Sequence, residues 1–130
     1  MATKSQDYAA LSATPTRLRN FVGGRFVDGG VPFDVYDPAT GRVHAIAHEA
    51  DRAIVDEAVA AARKAVTGDW GNMVLAKRRA LLCRVADRIE ERFDDFLEAE
   101  IADTGKPHHL AHHLDIPRGA ANFRVFADAI

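Results

Sequence analysis

Two arginines near the end of the 130-residue sequence are candidates for binding an anion. Arg118 and Arg124 lie six residues apart, close to Phe123. A guanidinium group can bind both oxygens of a carboxylate at once, which suits arginine to acidic substrates. The alternative is a surface ion pair, for example with Asp115 or Asp128. The residues alone leave both interpretations open.

Four histidines form a cluster shortly before these arginines. They are His108, His109, His112 and His113, and they make two pairs spaced four residues apart. Pairs at this spacing share a helix face and can chelate Zn²⁺, Ni²⁺ or Cu²⁺. No cysteine lies nearby and Asp115 is the only close carboxylate. The pattern therefore favours solvated surface histidines, with metal binding as the alternative.

The single cysteine, Cys83, lies between Leu82 and Val85 on the apolar side of a predicted helix. A catalytic thiolate needs partial exposure and a positive or dipolar neighbourhood, which the middle of a helix does not offer. We therefore predict a buried structural cysteine. One cysteine also excludes an intrachain disulfide and favours a reducing, cytoplasmic compartment.

Two glycine pairs, Gly23-Gly24 and Gly29-Gly30, do not have the context of a phosphate-binding loop. A dinucleotide fingerprint must follow a strand and begin a helix, whereas these glycines lie between short strand-like segments. No hydrolase, ATP-binding or zinc-protease motif occurs either. The residues alone provide neither a nucleophile–base pair nor a cofactor loop.

The composition restricts the classes of function. The net charge of −2 and the pI of about 6.3 exclude a strongly basic nucleic-acid binder. No apolar run approaches the roughly 20 residues that span a membrane, and the first residues lack the apolar segment of a secretory signal. Alanine supplies 24 of the 130 residues, which favours helices that bury little area.

The first part of the chain is predicted to form small β segments after a mobile tail over residues 1–18. Residues 21–27 predict a tight hairpin around a Gly-Gly turn, because glycine supplies the positive φ values of a two-residue turn. Strands are predicted over residues 33–36 and 43–48. A turn over residues 37–41 joins them, with proline and glycine at the positions that a turn requires.

Apolar residues then recur at steps of three and four, which predicts amphipathic helices. The first runs from an N-cap at Asp51 to Gly68. A longer apolar stripe extends from Leu75 to Asp103. It forms either one helix or two, with a bend near Arg92 where Asp94-Asp95 could cap the second segment.

A short helical segment is predicted over residues 107–114, followed by a boundary or kink at Pro117, with Asp115 available as a cap. Three residues share one face of the last helix: Ala120, Phe123 and Ala127. The helical pattern reaches Ile130 without a capping signal, so we expect a fragment of a longer chain. The predicted class is α/β, with β hairpins followed by amphipathic helices.

Several stretches, in this order and at these spacings, resemble the N-terminal part of the aldehyde dehydrogenase superfamily. They are residues 20–27 (NFVGGRFV), 37–43 (DPATGRV), the alanine-rich helix over 55–66, Trp70, residues 79–82 (RALL) with Ala86-Asp87, and residues 103–107 (DTGKP). The resemblance covers nearly everything from residue 20 to residue 130. It implies that residues 19–130 are an incomplete piece of this fold's cofactor-binding domain, truncated at its C-terminus.

Residues 115–127 (DIPRGAANFRVFA) resemble the 2-hydroxymuconic semialdehyde dehydrogenases and the related 2-aminomuconic semialdehyde enzymes. The resemblance implies NAD-dependent oxidation of a carboxylate-bearing semialdehyde, after meta cleavage of aromatic rings, by a homo-oligomer. The family's cysteine nucleophile, glutamate base, asparagine oxyanion donor and nucleotide-binding fold lie beyond this chain. NAD would therefore bind outside it, and the chain alone would be inactive. Cys83 matches none of those motifs.

The resemblance also carries over two sites. Asp103 matches a position that in some members helps to hold a monovalent cation, with the backbone carbonyls of Val35 and Tyr36 as companions. Oxygen ligands suit such a hard cation. Arg118 and Phe123 lie on the helix that borders the substrate entrance in this family. A carboxylate-bearing substrate needs a fixed cation, which favours a substrate-binding role for Arg118 over a surface ion pair.

A second hypothesis, from another class of function, is a non-catalytic helical module that associates through exposed apolar faces. Cysteine and glutamate motifs encoded downstream would support the enzyme. A native stop codon after Ile130 would favour the association module.

Overall fold

A computed structural model describes residues 14–130, which form five short strands followed by helices. The strands are β1 (Thr16–Leu18), β2 (Asn20–Val22), β3 (Arg25–Val27), β4 (Pro32–Tyr36) and β5 (Val43–His48). The helices are α1 (Arg52–Thr67), α2 (Leu75–Glu91), α3 (Phe93–Thr104), α4 (His108–Leu110), a π-helix (Ala111–Asp115) and α5 (Ile116–Asp128). The predicted order of β segments and then helices is confirmed. None of these described helices combines the length and apolar character needed to cross a membrane.

A three-stranded sheet has the order β1-β5-β4, so β5 lies at its centre. It runs antiparallel to β4, with Phe33 opposite Ala47, and parallel to β1, with Arg17 opposite Ile46. The first 13 residues of the predicted tail lie outside the described part of the chain. Its last residues are not a tail, because they form β1. All three residues of β1 are exposed, so this edge strand has no apolar alternation by which the sequence could reveal it.

The predicted hairpin is confirmed. β2 and β3 pair antiparallel, with Phe21 opposite Phe26, and the two rings meet edge to face at 5.0 Å. Gly23 and Gly24 form the turn with φ values of 58° and 85°. Two consecutive positive φ values are the geometry of a type I′ turn, which matches the twist of the paired strands.

Asp37 organises the turn that joins β4 to β5. Its buried carboxylate accepts hydrogen bonds from the Thr40 hydroxyl at 2.7 Å and the Ala39 amide at 2.8 Å. These two bonds favour the ionised form, so they hold the pKa of Asp37 below its ordinary value. Gly41 closes the turn with a φ of 68°, as the sequence predicted.

The helix boundaries reflect local capping. Asp51 caps α1 by accepting a hydrogen bond from the Ile54 amide at 2.9 Å. The long apolar stripe is interrupted at Arg92, which confirms two helices rather than one. The expected cap at Asp94-Asp95 is absent, however. Asp95 lies inside the first turn of α3 and accepts a hydrogen bond from Arg92 Nε at 2.8 Å instead.

The main contact between helices joins α2 to α5. The buried residues of these two helices are mostly alanines: Ala86 on α2, and Ala120 and Ala127 with Ile116 on α5.

Arg79, near the start of α2, forms an ion pair with Asp128 at the end of α5. Arg124 reaches back to Asp87 and Glu90, at 2.8 and 2.6 Å. Small side chains thus let the helices approach, and ion pairs border the contact.

A π-helix replaces the boundary predicted at Pro117. The Ile116 amide donates to the carbonyl of Ala111, five residues back, and the helix continues without interruption into α5. An α-helix would clash with the Pro117 ring and would need its missing N–H group, whereas the wider turn accommodates it. Asp115 is therefore not a cap: its backbone is helical, and its carboxylate accepts a hydrogen bond from Lys106 Nζ at 2.8 Å.

Candidate functional site

Arg118 is exposed in the first turn of α5, directly after Pro117. Within residues 14–130, no hydrogen bond or ion pair holds its guanidinium group. The two carboxylates considered as its ion-pair partners are engaged elsewhere. Asp115 binds Lys106 and Asp128 binds Arg79. The structure therefore leaves Arg118 available to an external anion.

Arg124 has a different environment. Its guanidinium donates to Asp87 Oδ1 at 2.8 Å and to Glu90 Oε2 at 2.6 Å. These two hydrogen bonds raise the pKa of Arg124, and the bond to Asp87 has the larger effect. Arg124 thus belongs to the α2–α5 contact, and the two arginines that look equivalent in the sequence have distinct environments.

Phe123 lies on α5 with 39% of its surface exposed, and Phe126 on the same helix is more exposed. Five residues of an α-helix correspond to a rotation of about 500°, so Phe123 lies about 140° around the axis from Arg118. The two predicted substrate-binding residues therefore share a helix but occupy different faces. Phe126 follows Phe123 by three residues and extends the same apolar face. The sequence analysis did not single out Phe126, although this three-residue step is a helical spacing that the sequence shows.

Asp103 lies at the end of α3, close to the turn that follows β4. Its exposed carboxylate is 3.8 Å from Nε2 of His44 on β5. Gly105 has a φ of 66°, and a Cβ added there would come within 2.8 Å of the Pro38 side chain. The end of α3 thus touches the Asp37–Gly41 turn, which begins one residue after Tyr36.

These contacts place Asp103 beside β5 and Gly105 beside Pro38, at the corner of the sheet where β4 ends with the other two predicted cation ligands, Val35 and Tyr36. Among the described residues, no three histidine, cysteine, aspartate or glutamate side chains are grouped as a metal ion requires. A cation at this corner would therefore depend on backbone oxygens together with the single carboxylate of Asp103. The donor set is entirely oxygen, as a hard cation prefers.

Three of the four histidines, His108, His112 and His113, pack against other rings. His108 and His112 stack with ring centroids 5.6 Å apart, and Phe93 meets His112 edge-on at 5.0 Å. Nδ1 of His112 lies 3.3 Å from Nδ1 of His113. No third ligand from the described part of the chain joins them.

Cys83 is half-buried on α2 rather than fully buried as predicted. The glycine pairs are turns, as expected. The described strand-to-helix connection from β5 to α1 spans residues 49–51 and contains no glycine, so it lacks the loop that a dinucleotide pyrophosphate requires.

An open groove of about 510 Å³ lies along the outer face of α2. It is mostly apolar and is bordered by arginines. Its lining residues are Trp70, Leu81, Leu82, Arg84, Val85, Arg88, Ile89, Arg92 and Phe96. Arg118 and Phe123 do not line it, so the groove is separate from the candidate substrate-binding helix.

Lys106 is the residue at this site that the sequence analysis missed. Its ammonium group joins Asp115 at 2.8 Å to Glu100 at 3.3 Å. Asp115 lies nine residues after Lys106, and that separation matches no helical spacing. The contact exists because the fold brings the π-helix against α3.

The comparisons with known proteins cover most of the chain. The sequence profile of the aldehyde dehydrogenase family matches residues 26–130. The chain is 56% identical over 115 residues to 2-hydroxymuconic semialdehyde dehydrogenase from Pseudomonas sp. (strain CF600). It is 50% identical over 114 residues to 2-aminomuconic 6-semialdehyde dehydrogenase from Pseudomonas sp.. These alignments cover 87% and 88% of this chain but only 24% and 23% of the relatives.

Solved structures agree with the sequence comparisons. The NAD⁺ complex of an aldehyde dehydrogenase from Bacillus cereus superposes with a TM-score of 0.82 and 38% identity, over 86% of this chain and 23% of that one. Indole-3-acetaldehyde dehydrogenase in its apo form superposes with a TM-score of 0.85 and 31% identity, over 92% of this chain and 28% of that one. The chain thus has the mixed strand-and-helix architecture of an N-terminal piece of that fold. On the matched residues and the shared architecture, this chain belongs to the aldehyde dehydrogenase family.

Proposed function

We propose that this chain is the N-terminal segment of an NAD-dependent aldehyde dehydrogenase, called the full-length enzyme below. It oxidises 2-hydroxymuconic semialdehyde to the dicarboxylate during meta-cleavage catabolism of aromatic compounds. The observation that carries this proposal is the 56% identity to a 2-hydroxymuconic semialdehyde dehydrogenase. The 50% identity to a 2-aminomuconic 6-semialdehyde dehydrogenase makes the amino substrate the second candidate. Both relatives favour an enzyme over a non-catalytic association module.

Arg118 binds the carboxylate of the semialdehyde in this proposal. This role is supported by the difference between Arg118 and the other cationic side chains. Arg79, Lys106 and Arg124 each already bind a carboxylate. Pro117 restricts the backbone just before Arg118, which limits the conformational entropy lost when the side chain binds. Phe123 provides apolar surface on a different face of the same helix.

NAD accepts the hydride when bound, and the residues that bind it lie outside this chain. The described residues hold no glycine-bearing turn between a strand and a helix, so they do not fit the dinucleotide. This chain therefore contributes a substrate-binding residue and part of the enzyme's fold. A cytoplasmic homo-oligomer completes the proposal, and the single cysteine suits a reducing compartment.

A monovalent cation is the second ligand that we propose for this chain. Asp103 and the backbone carbonyls of Val35 and Tyr36 would hold it at the corner between α3 and the Asp37–Gly41 turn. The support is the contact of Gly105 with Pro38 and the approach of Asp103 to His44. The cation would connect the end of α3 to the end of β4.

The test compares two substrates in the full-length enzyme. Arg118→Ala should lower kcat/KM for the carboxylated semialdehyde by about tenfold to a hundredfold, because a charge-assisted hydrogen bond to the carboxylate is lost. A neutral aldehyde of similar size should react nearly as before. Arg118→Lys should recover part of the loss, since lysine offers a point charge without the planar fork. NADH formation measures each rate.

Arg84→Ala is the matched control, because Arg84 is also exposed and has no partner among the described residues. It should leave both substrates unaffected. Equal losses on both substrates for Arg118→Ala would contradict the substrate-binding role. Faster turnover of the amino than of the hydroxy semialdehyde by the unmodified enzyme would favour the second candidate.

A further inference from the structure

We propose that Lys106 is a positioning residue for Arg118, because it holds the end of the π-helix from which α5 begins. This inference rests on the proposed function, since it assigns Lys106 to the same carboxylate-binding site. Lys106 itself touches neither the substrate nor the cofactor in this proposal.

Lys106 connects two elements through a pair of half-buried carboxylates. Its Nζ lies 2.8 Å from Oδ2 of Asp115 and 3.3 Å from Oε1 of Glu100. The side chains of Asp115 and Glu100 are only 25% and 31% exposed, so these bonds are less screened than a pair on the open surface. The hydrogen bond to Asp115, and to a lesser degree the one to Glu100, raises the pKa of Lys106 above its ordinary value.

The π-helix that Lys106 holds determines where Arg118 points. One extra residue in the turn rotates everything that follows by about 100° relative to an α-helical path. Asp115 is the last residue of that turn, and Arg118 follows it by three residues. A change in the turn would therefore redirect Arg118, the first exposed charged side chain of α5.

The two halves of α5 are held differently. Its later half is fixed to α2 by Arg124, by Asp128 and by buried Ala127. Its first turn is held by Ile116, which lies in the apolar cluster, and by the hydrogen bond that Lys106 donates to Asp115. Loss of Lys106 should thus loosen the end that carries Arg118 and leave the rest of the helix in place.

The experiment is a double-mutant cycle in the full-length enzyme. Lys106→Met should lower kcat/KM for the carboxylated semialdehyde by about fivefold, mainly through a higher KM, and should change the neutral aldehyde by less than about twofold. Lys106→Arg should restore most of the activity. Lys106→Met added to Arg118→Ala should cause no further loss, because the residue it positions is already gone.

Arg52→Met is the matched control, since it removes an exposed ion pair with Asp56 on α1. This variant should leave kcat/KM unchanged for both substrates. Amide hydrogen exchange gives a readout besides activity: Lys106→Met should accelerate exchange over residues 111–118 and leave residues 122–128 unchanged.

The outcomes separate the two proposals. A selective loss for Arg118→Ala without one for Lys106→Met overturns the positioning role and leaves the proposed function intact. Equal losses on both substrates for Lys106→Met, or additive losses in the double mutant, also overturn it. If Arg118→Ala itself shows no selective loss, the carboxylate-binding role fails, and the positioning role fails with it.

Discussion

Asp37 is the buried charged residue of the described part of the chain, at 5% exposure. Its carboxylate is stabilised by the Thr40 hydroxyl and the Ala39 amide, so its burial does not leave a charge without partners. Both partners lie within three residues of Asp37. One acidic side chain therefore determines the shape of a turn that Gly105, at the end of α3, contacts through Pro38.

The lowered pKa of Asp37 predicts a dependence of stability on pH. The folded pKa lies below the ordinary value of 3.8, so folding favours the ionised form. The resulting stabilisation is present above pH 3.8 and is lost as the pH falls through the folded pKa. Asp37→Asn should therefore lower the thermal midpoint of the full-length enzyme at neutral pH, and the difference from wild type should shrink in acid.

Thermal unfolding of both proteins across the acidic range checks this prediction. Asp34→Asn is the control, because Asp34 lies on the neighbouring strand and is exposed. It should have little effect at any pH. If the thermal midpoint of Asp37→Asn stays below that of wild type by the same amount down to the most acidic pH, the charge of Asp37 has no role in stability.

The proposed cation site at Asp103 predicts that the thermal stability of the full-length enzyme depends on the cation present. If Asp103 helps to hold a monovalent cation, the thermal midpoint of the full-length enzyme should rise when Na⁺ or K⁺ replaces a bulky organic cation at equal ionic strength. Asp103→Asn should remove this rise. Asp94→Asn, on the same helix and also exposed, should retain it. An unmodified enzyme that is insensitive to the exchange of cations would rule out the site.

At the scale of elements, the α2–α5 contact depends on alanine. Ala86 and Ala120 are 0% and 1% exposed, so neither position has space for a larger side chain. Ala120→Leu should destabilise the full-length enzyme by about 1–3 kcal/mol, because added methylenes force two helices apart. Ala121→Leu changes the next residue, which is exposed, and should stay within about 0.5 kcal/mol.

Denaturant unfolding of the two alanine variants gives the comparison. Equal stabilities for Ala120→Leu and Ala121→Leu would mean that α2 and α5 are not closely packed. The pair is informative because both residues have the same helix propensity and both variants add the same side chain. Only the position relative to α2 differs.

At the scale of the whole chain, residues 14–130 leave many large apolar side chains exposed. Phe21, Phe26, Phe126 and Val66 are each at least 60% exposed. The buried residues are mostly small, so the described part of the chain buries little apolar area by itself.

We therefore predict that the isolated 130-residue chain binds apolar dyes and associates or unfolds without cooperativity, because contiguous apolar patches favour association. Dye fluorescence and size-exclusion chromatography measure both properties. A sharp monomer peak with a cooperative melt and no dye binding would contradict this prediction.

The isolated chain is also predicted to be catalytically inactive. Within residues 14–130 the single cysteine, Cys83, has no hydrogen-bond partner that could act as a base, and no glycine-bearing turn joins a strand to a helix. Purified chain mixed with NAD and a muconic semialdehyde should form NADH no faster than a blank. Turnover that follows the chain through purification would show that the prediction is wrong.

The sequence by itself determined the elements whose cause lies within a few residues. Gly23 and Gly24 specify the hairpin turn because they reach positive φ values without steric cost. Asp51 caps α1 because its acceptor and donor are three residues apart. Apolar spacing placed the helices, and the family resemblance, which the comparisons confirm, placed the chain among the aldehyde dehydrogenases.

Only the tertiary structure decided which charged groups meet. Asp115 and Asp128 were both possible partners of Arg118, yet the fold assigns them to Lys106 and Arg79. Arg79 and Asp128 are separated by 49 residues, and β1 pairs with a strand almost 30 residues later. Such pairs depend on the path of the whole chain, because a charge binds whichever opposite charge the packing brings near it. Local preferences do not specify that path.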